Sequence, residues 1–211
     1  EILKTQINKD AIKNISNDFK VVYTPLHGSG YKLVPQILTL AGVKPENILT
    51  VPEQMILDGD FPTVEKPNPE FKSSFNLGLE IAKKENCDLI IGTDPDADRL
   101  GVVTIDDGEP TYFTGNQTGA MLIEYVINKH KENGTFKDNF KVFNTIVTSP
   151  LGAAIAKKNG VAVGSTLTGF KFIGEQAEKI KANGGVYVYG FEESYGCLIK
   201  DFVRDKDAIQ A

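Results

Sequence analysis

Residues 87–103 read CDLIIGTDPDADRLGVV, and this stretch decides how the rest of the chain is organised. The apolar run Leu89, Ile90, Ile91 has the composition of a buried strand; it breaks at Gly92 and resumes as a second apolar run after Arg99. Between the two runs stand Asp94, Asp96 and Asp98, three carboxylates within five residues. Carboxylates this crowded repel one another unless a positive charge lies among them, and the candidates are Arg99 and a hard divalent cation, Mg²⁺ or Ca²⁺. Pro95 fixes one backbone dihedral inside the loop and lowers the entropy lost in presenting the ligands.

Composition bounds what such a loop can serve. The chain has 211 residues, enough for one large or two medium domains, and a formal net charge of -5. An acidic chain is a poor general binder of nucleic acid or anionic membrane, so any phosphate site has to be a local device. Cys87 and Cys197 lie far apart beside apolar runs, which argues against a disulfide framework and for a reducing, cytoplasmic setting. No apolar run approaches a membrane span and no signal peptide is visible. The start at Glu1 and the helix-like end DKDAIQA suggest a piece of a longer protein.

Reading outward, residues 1–15 have helical spacing, and residues 20–24 (KVVYT) form a first strand. A glycine-punctuated turn, residues 25–30 (PLHGSG), precedes a helix over 33–41, whose Pro35 is tolerable in the first turn. The turn matches neither the Rossmann nor the Walker fingerprint, although backbone N–H groups in such a place can meet a phosphate. His27 reads as a hydrogen-bonded structural residue in preference to a base. A short strand at 48–51, a long ordered connection over 52–69 and a helix over 70–86 lead into the Asp loop. The alternation predicts a parallel or mixed α/β sheet with ligands at strand C-terminal ends.

Asp107-Gly108 marks a hairpin and the expected domain boundary, giving domains 1–108 and 109–211. A second cycle follows: a helix over 117–130, a strand at 141–147, and a helix from Ser149-Pro150 to Asn159. A strand at 161–163, the turn Thr168-Gly169 and a helix to Gly184-Gly185 come next. The strand at 186–191 (VYVYGF) presents Glu192-Glu193-Ser194-Tyr195-Gly196 from a buried element, and carboxylates so placed suit sugar hydroxyls. An EF-hand reading of the Asp loop fails, because Arg99 and Ile105 occupy the positions that require glycine and glutamate. A haloacid-dehalogenase-type phosphatase expects Thr or Val soon after its second Asp, where this chain has Ala97-Asp98-Arg99.

Four separated segments carry a resemblance: residues 24–30 (TPLHGSG), 94–99 (DPDADR), 168–171 (TGFK) and 190–196 (GFEESYG), the last followed by 204–208 (RDKDA). In this order and spacing the chain resembles the α-D-phosphohexomutase superfamily, and VPEQ with FPTVEKPNPE points to its phosphoglucomutase and phosphopentomutase branch. The resemblance implies two consecutive three-layer α/β domains with mixed, mostly parallel sheets, the second and third of a four-domain mutase. That enzyme moves a phosphoryl group between the 1- and 6-positions (or 1- and 5-positions) of a phosphosugar through a phosphoserine and a bisphosphorylated intermediate such as glucose 1,6-bisphosphate. It also implies Mg²⁺ on Asp94, Asp96 and Asp98, and Arg99 and Lys206 at the transferring phosphoryl group. Thr168, Gly169, Lys171, Glu192 and Ser194 would face the substrate. The nucleophilic serine would belong to an N-terminal domain and a phosphate-clamping loop to a C-terminal one, leaving this segment inactive alone. Cys197 departs from the histidine of mannose-directed relatives, which disfavours mannose. The other class of reading is a catalytically silent, mutase-like scaffold or regulatory protein.

Overall fold

The computed structural model describes Ile7 and residues 12–211, so the helix expected over 1–15 lies for the most part outside the described residues. The chain divides into two compact units, Glu1–Tyr112 and Phe113–Ile209. The hairpin turn at residue 108 belongs to the first unit's sheet, which runs on to Phe113.

The first unit holds a five-stranded sheet ordered β2-β1-β3-β4-β5, with β1 Val21–Thr24, β2 Ile48–Thr50, β3 Leu89–Thr93, β4 Leu100–Asp106 and β5 Glu109–Phe113. β1 pairs parallel to both β2 and β3, while β3 pairs antiparallel to β4. The interior position of β1, between the parallel strands β2 and β3, explains its four consecutive buried residues, since a parallel strand covered on both faces cannot alternate. Val22, Phe75, Ala82, Ile90 and Val103 form the core on one face, each large side chain contributing about 1.5–3 kcal/mol by burial. Register places Gly92 opposite Gly101, and a Cβ on either would meet the Phe75 ring at 2.8 Å. Because β1 and β3 run in the same direction as neighbours, the loops after Thr24 and Thr93 emerge side by side. Helix α1 spans Leu33–Ala41, as the sequence predicts, and ends on Gly42 at φ 119°.

Helix α2 spans Asn76–Glu85, six residues shorter at its start than the periodicity predicts. The reason is a side-chain lock on the preceding corner. Asn68 Oδ1 accepts the Glu70 N–H at 2.9 Å, and the Ser74 hydroxyl meets the carbonyls of Lys66 and Asn68, both at 2.9 Å. These bonds give the backbone an alternative to the helical ladder.

The second unit holds a four-stranded sheet ordered β7-β6-β8-β9, with β6 Phe140–Thr145, β7 Ala162–Thr166, β8 Val186–Phe191 and β9 Cys197–Leu198. Its helices are α3 Gly115–Glu132, α4 Pro150–Lys158 and α5 Phe170–Ala182. Alternation along the strands builds two cores. Val142 and Val188 pack with Ile123 and Ile127 of α3, whereas Phe143 and Tyr187 pack with Phe170 and Ile173 of α5. This is a three-layer α/β/α arrangement, and both sheets mix parallel and antiparallel pairs, as expected. Helix α3 starts earlier than position 117 because Thr114 and Gln117 form a capping box. Strand β6 stops at Thr145, and Ile146 and Val147, expected in the strand, are 63% and 56% exposed in the turn that follows. No helix among the described residues is long and apolar enough to cross a membrane.

Candidate active site

The Asp loop folds around one of its own carboxylates. Asp94 emerges from β3 with 7% exposure; its Oδ1 accepts the backbone N–H groups of Asp98 (3.1 Å) and Arg99 (3.0 Å), and its carbonyl accepts that of Ala97 (3.0 Å). Ala97 takes φ 59° to close the turn. The result brings one oxygen each of Asp94, Asp96 and Asp98 within 4.8 Å of one another. Burial first, and then the charges of Asp98 and Asp96, push the Asp94 carboxyl up to about 7, against the pull of the Arg99 N–H. A divalent cation with oxygen ligands relieves this crowding, so the donor set fits Mg²⁺.

Arg99 is held among three carboxylates. Its Nη1 donates to Glu70 Oε1 at 2.7 Å, while Nε faces Asp94 Oδ2 at 3.5 Å and Asp98 Oδ1 at 3.8 Å. The side chain as a whole keeps 30% exposure, while its Nε is buried.

The glycine-punctuated turn buttresses this loop. Gly28 lies so close to Pro95 that an added Cβ would be 2.2 Å from the Pro95 Cα, and the Ser29 N–H donates to the Pro95 carbonyl at 2.7 Å. His27 is buried with both ring nitrogens engaged, Nδ1 with the Ile56 carbonyl and Nε2 with the Thr63 hydroxyl, each at 2.9 Å. It is the structural residue that its position in the sequence suggests. Thr63 Oγ1 also accepts from Gln54 Nε2 at 3.0 Å, and the Thr24 hydroxyl donates to Gln54 Oε1. The long connection is thereby tied to the turn under the Asp loop.

In the second unit Glu192 is buried at the end of β8. Its Oε1 accepts the Gly169 N–H at 3.1 Å, and its Oε2 accepts the Ser194 hydroxyl at 3.3 Å. Burial raises the Glu192 carboxyl above its usual range, with the Lys206 ammonium and the Gly169 N–H opposing. Lys206 packs across Gly196, leaving no room there for a Cβ. Gly169, Glu192, Ser194 and Lys206 therefore converge. Thr168 is exposed beside them, and Lys171 is exposed on the first turn of α5 with its ammonium 5.0 Å from the Phe172 ring centre.

Residues 1–108 match the family model described as phosphoglucomutase/phosphomannomutase, alpha/beta/alpha domain II, and residues 114–211 match domain III of the same family. The chain belongs to the phosphoglucomutase/phosphomannomutase family. A phosphoglucomutase of Staphylococcus epidermidis is 39% identical to it over 215 aligned residues, covering 98% of the chain and 38% of that protein. The chain thus spans about two fifths of the length of such relatives. The phosphoglucomutase parafusin of Paramecium, solved in an open form, shares its fold with a TM-score of 0.73 at 24% identity, over 99% of the chain and 35% of that structure. The N-acetylphosphoglucosamine mutase of Aspergillus fumigatus, solved with GlcNAc-6P and magnesium, gives 0.63 at 13% identity over 94% and 37%. These matches do not favour the phosphatase or silent-scaffold readings.

Within this phosphoglucomutase/phosphomannomutase segment, sequence reasoning gave no role to Glu70 or Gln54 and did not separate Glu193 from Glu192. Glu193 Oε2 accepts the hydroxyls of Thr145 (3.0 Å) and Thr148 (3.2 Å), so it points into the protein and fixes the turn after β6 while its neighbour Glu192 meets Gly169. Period-2 alternation along an extended strand end could have separated the two glutamates. Nothing local marks Glu70, whose partner lies 29 residues away.

Proposed function

We propose that this chain is the metal-binding and sugar-recognition part of a phosphosugar mutase, domain II at 1–108 and domain III at 109–211. The observation that carries the reading is the triad of Asp94, Asp96 and Asp98, built on the buried Asp94, with Arg99 beside it. The parent protein would move a phosphoryl group between the 1- and 6-positions of a hexose, glucose first, or the 1- and 5-positions of a pentose. It would use a phosphoserine from an N-terminal domain and a sugar bisphosphate such as glucose 1,6-bisphosphate, in the cytoplasm.

Asp94, Asp96 and Asp98 would hold Mg²⁺, whose chemistry is to withdraw charge from phosphoryl oxygens. Phosphoryl transfer asks a protein mainly for positioning and for neutralisation of the equatorial oxygens. Arg99 would supply a cation with a planar donor fork, and Lys206, beside Glu192 in the second unit, is the other cation the reading assigns to phosphoryl groups. Glu192 and Ser194 present oxygens to sugar hydroxyls, and the Thr168-Gly169 turn with Lys171 completes the substrate face. Glu192, already held by the Gly169 N–H, keeps its aim without substrate.

A coupled assay of the full-length parent with glucose 1-phosphate, ribose 1-phosphate and mannose 1-phosphate, with and without Mg²⁺, tests the reading. Mg²⁺-dependent turnover of glucose 1-phosphate or ribose 1-phosphate is expected, and the 211-residue chain alone should show none. No turnover of any of the three by the parent sinks the proposal.

A further inference from the structure

Three features of the first unit bear on one guanidinium. Asn68, Pro69 and Glu70 form the corner that delays α2, and that corner is fixed from below by Ser74 and from the side by Pro69. Pro69 is buried against Gly101 of β4, where an added Cβ would be 2.5 Å from the Pro69 Cβ. Gly101 is two residues from Arg99, so the corner and the base of the Arg99 side chain share one support. At the tip of the corner, Asn68 Nδ2 donates to Glu70 Oε1 at 3.3 Å, and the same oxygen accepts Arg99 Nη1 at 2.7 Å.

We propose that Glu70 is a positioning residue for Arg99, the anchor that fixes the direction of its guanidinium over the Asp loop. For its catalytic consequence this rests on the phosphoryl-transfer reading above; the geometry stands by itself. Among the described residues, the short, oriented hydrogen bond of the Arg99 side chain is the one to Glu70, with Nε 3.5 Å from Asp94 and 3.8 Å from Asp98. Those two carboxylates are the proposed metal ligands, and charge drawn toward a cation is charge withdrawn from Arg99. Glu70 stands outside the triad, so its hold on the fork does not depend on the metal. The pair is 30% and 35% exposed, a setting in which ion pairs add about 0–1 kcal/mol to stability. Its value therefore lies in direction, since a planar fork gripped at one nitrogen has its other donors aimed.

The chain has only two arginines, so side-chain Nε–Hε spectra of the ¹⁵N-labelled 211-residue protein contain two signals. Arg204, 79% exposed and paired with Glu178, serves as the internal control. In Glu70→Ala the Arg99 signal should exchange with solvent about tenfold faster and lose order, with Arg204 and the backbone amides unmoved; in Glu70→Gln, which keeps an acceptor oxygen, the loss should be partial. An Arg99 signal unchanged in Glu70→Ala overturns the proposal. In the full-length parent, Glu70→Ala should lower kcat about tenfold while leaving KM for the sugar phosphate and the Mg²⁺ activation constant within about twofold. An unaltered kcat in an active parent also overturns it. A wild-type parent without turnover defeats the mutase reading and leaves the exchange measurement to decide the role of Glu70.

Discussion

The Asp loop of the first unit and the Glu192 loop of the second each present carboxylates from the end of a buried strand, and they restrain them by opposite means. Asp94 is held by backbone N–H groups four and five residues along its own chain, and burial first, then the charges of Asp98 and Asp96, raise its carboxyl. Glu192 is held by Gly169, 23 residues away, and opposed by Lys206. Glu193 is held by Thr145 and Thr148, more than 40 residues away. The first loop concentrates three carboxylates within a few residues. The second satisfies its two carboxylates with donors from distant segments, and Lys206 opposes the rise of the Glu192 carboxyl. Local restraint makes a site that survives as a motif, whereas distant restraint makes one that depends on the whole unit being folded.

The sharpest way to break the contrast is Asp96→Ala in the full-length parent, expected to cut Mg²⁺-dependent turnover by roughly 100-fold or more. Turnover that persists at wild-type level with unchanged Mg²⁺ dependence would remove the cation from the first loop's account. Thiol chemistry compares the surroundings of the two loops. Burial pushes the Cys197 thiol, next to β8, up to about 11, and raises Cys87 ahead of β3 by a smaller amount. At pH 8, Ellman's reagent should label Cys197 of the native protein more than about 100-fold more slowly than a free thiol, with Cys87 reacting first. Rapid labelling of Cys197 in the native state would show that the second unit opens more readily than its packing implies.

Gly28→Ala drives a methyl group into the Pro95 backbone and should destabilise the first unit by about 1–3 kcal/mol, read from urea unfolding. Gly59→Ala, with nothing within 4 Å of the new carbon, should be neutral within about 0.5 kcal/mol. Equal effects would mean that the turn after β1 does not support the Asp loop. The smallest expected effect is in pH dependence. Because the folded-state pKa of Glu192 is raised, the fold binds its proton more tightly than the unfolded chain does. That contribution to stability is present below the ordinary carboxylate range and is lost as pH rises through the raised value. Glu192→Gln should flatten stability against pH in that window, and Lys206→Met should steepen it; a slope unaltered by either places the compensation elsewhere.

Much of this was legible before any coordinates. The range of α1, the buried strand at 186–191, the hairpin at Asp107-Gly108 and the three-carboxylate loop all follow from periodicity, turn chemistry and charge crowding within a few residues. The start of α2 and the end of β6 were not, because side chains at Asn68, Ser74, Glu193 and Thr148 outbid the backbone pattern there. By itself the sequence determined an α/β chain with a cation-seeking loop after a central strand and a carboxylate pair after another. Only the tertiary structure decided that the glycine turn supports that loop through Pro95, that His27 is held by the Ile56 carbonyl and Thr63, that Glu192 and Glu193 take different partners, and that Glu70 grips Arg99. Each of those depends on contacts between residues that strand pairing brings together and that local spacing does not encode.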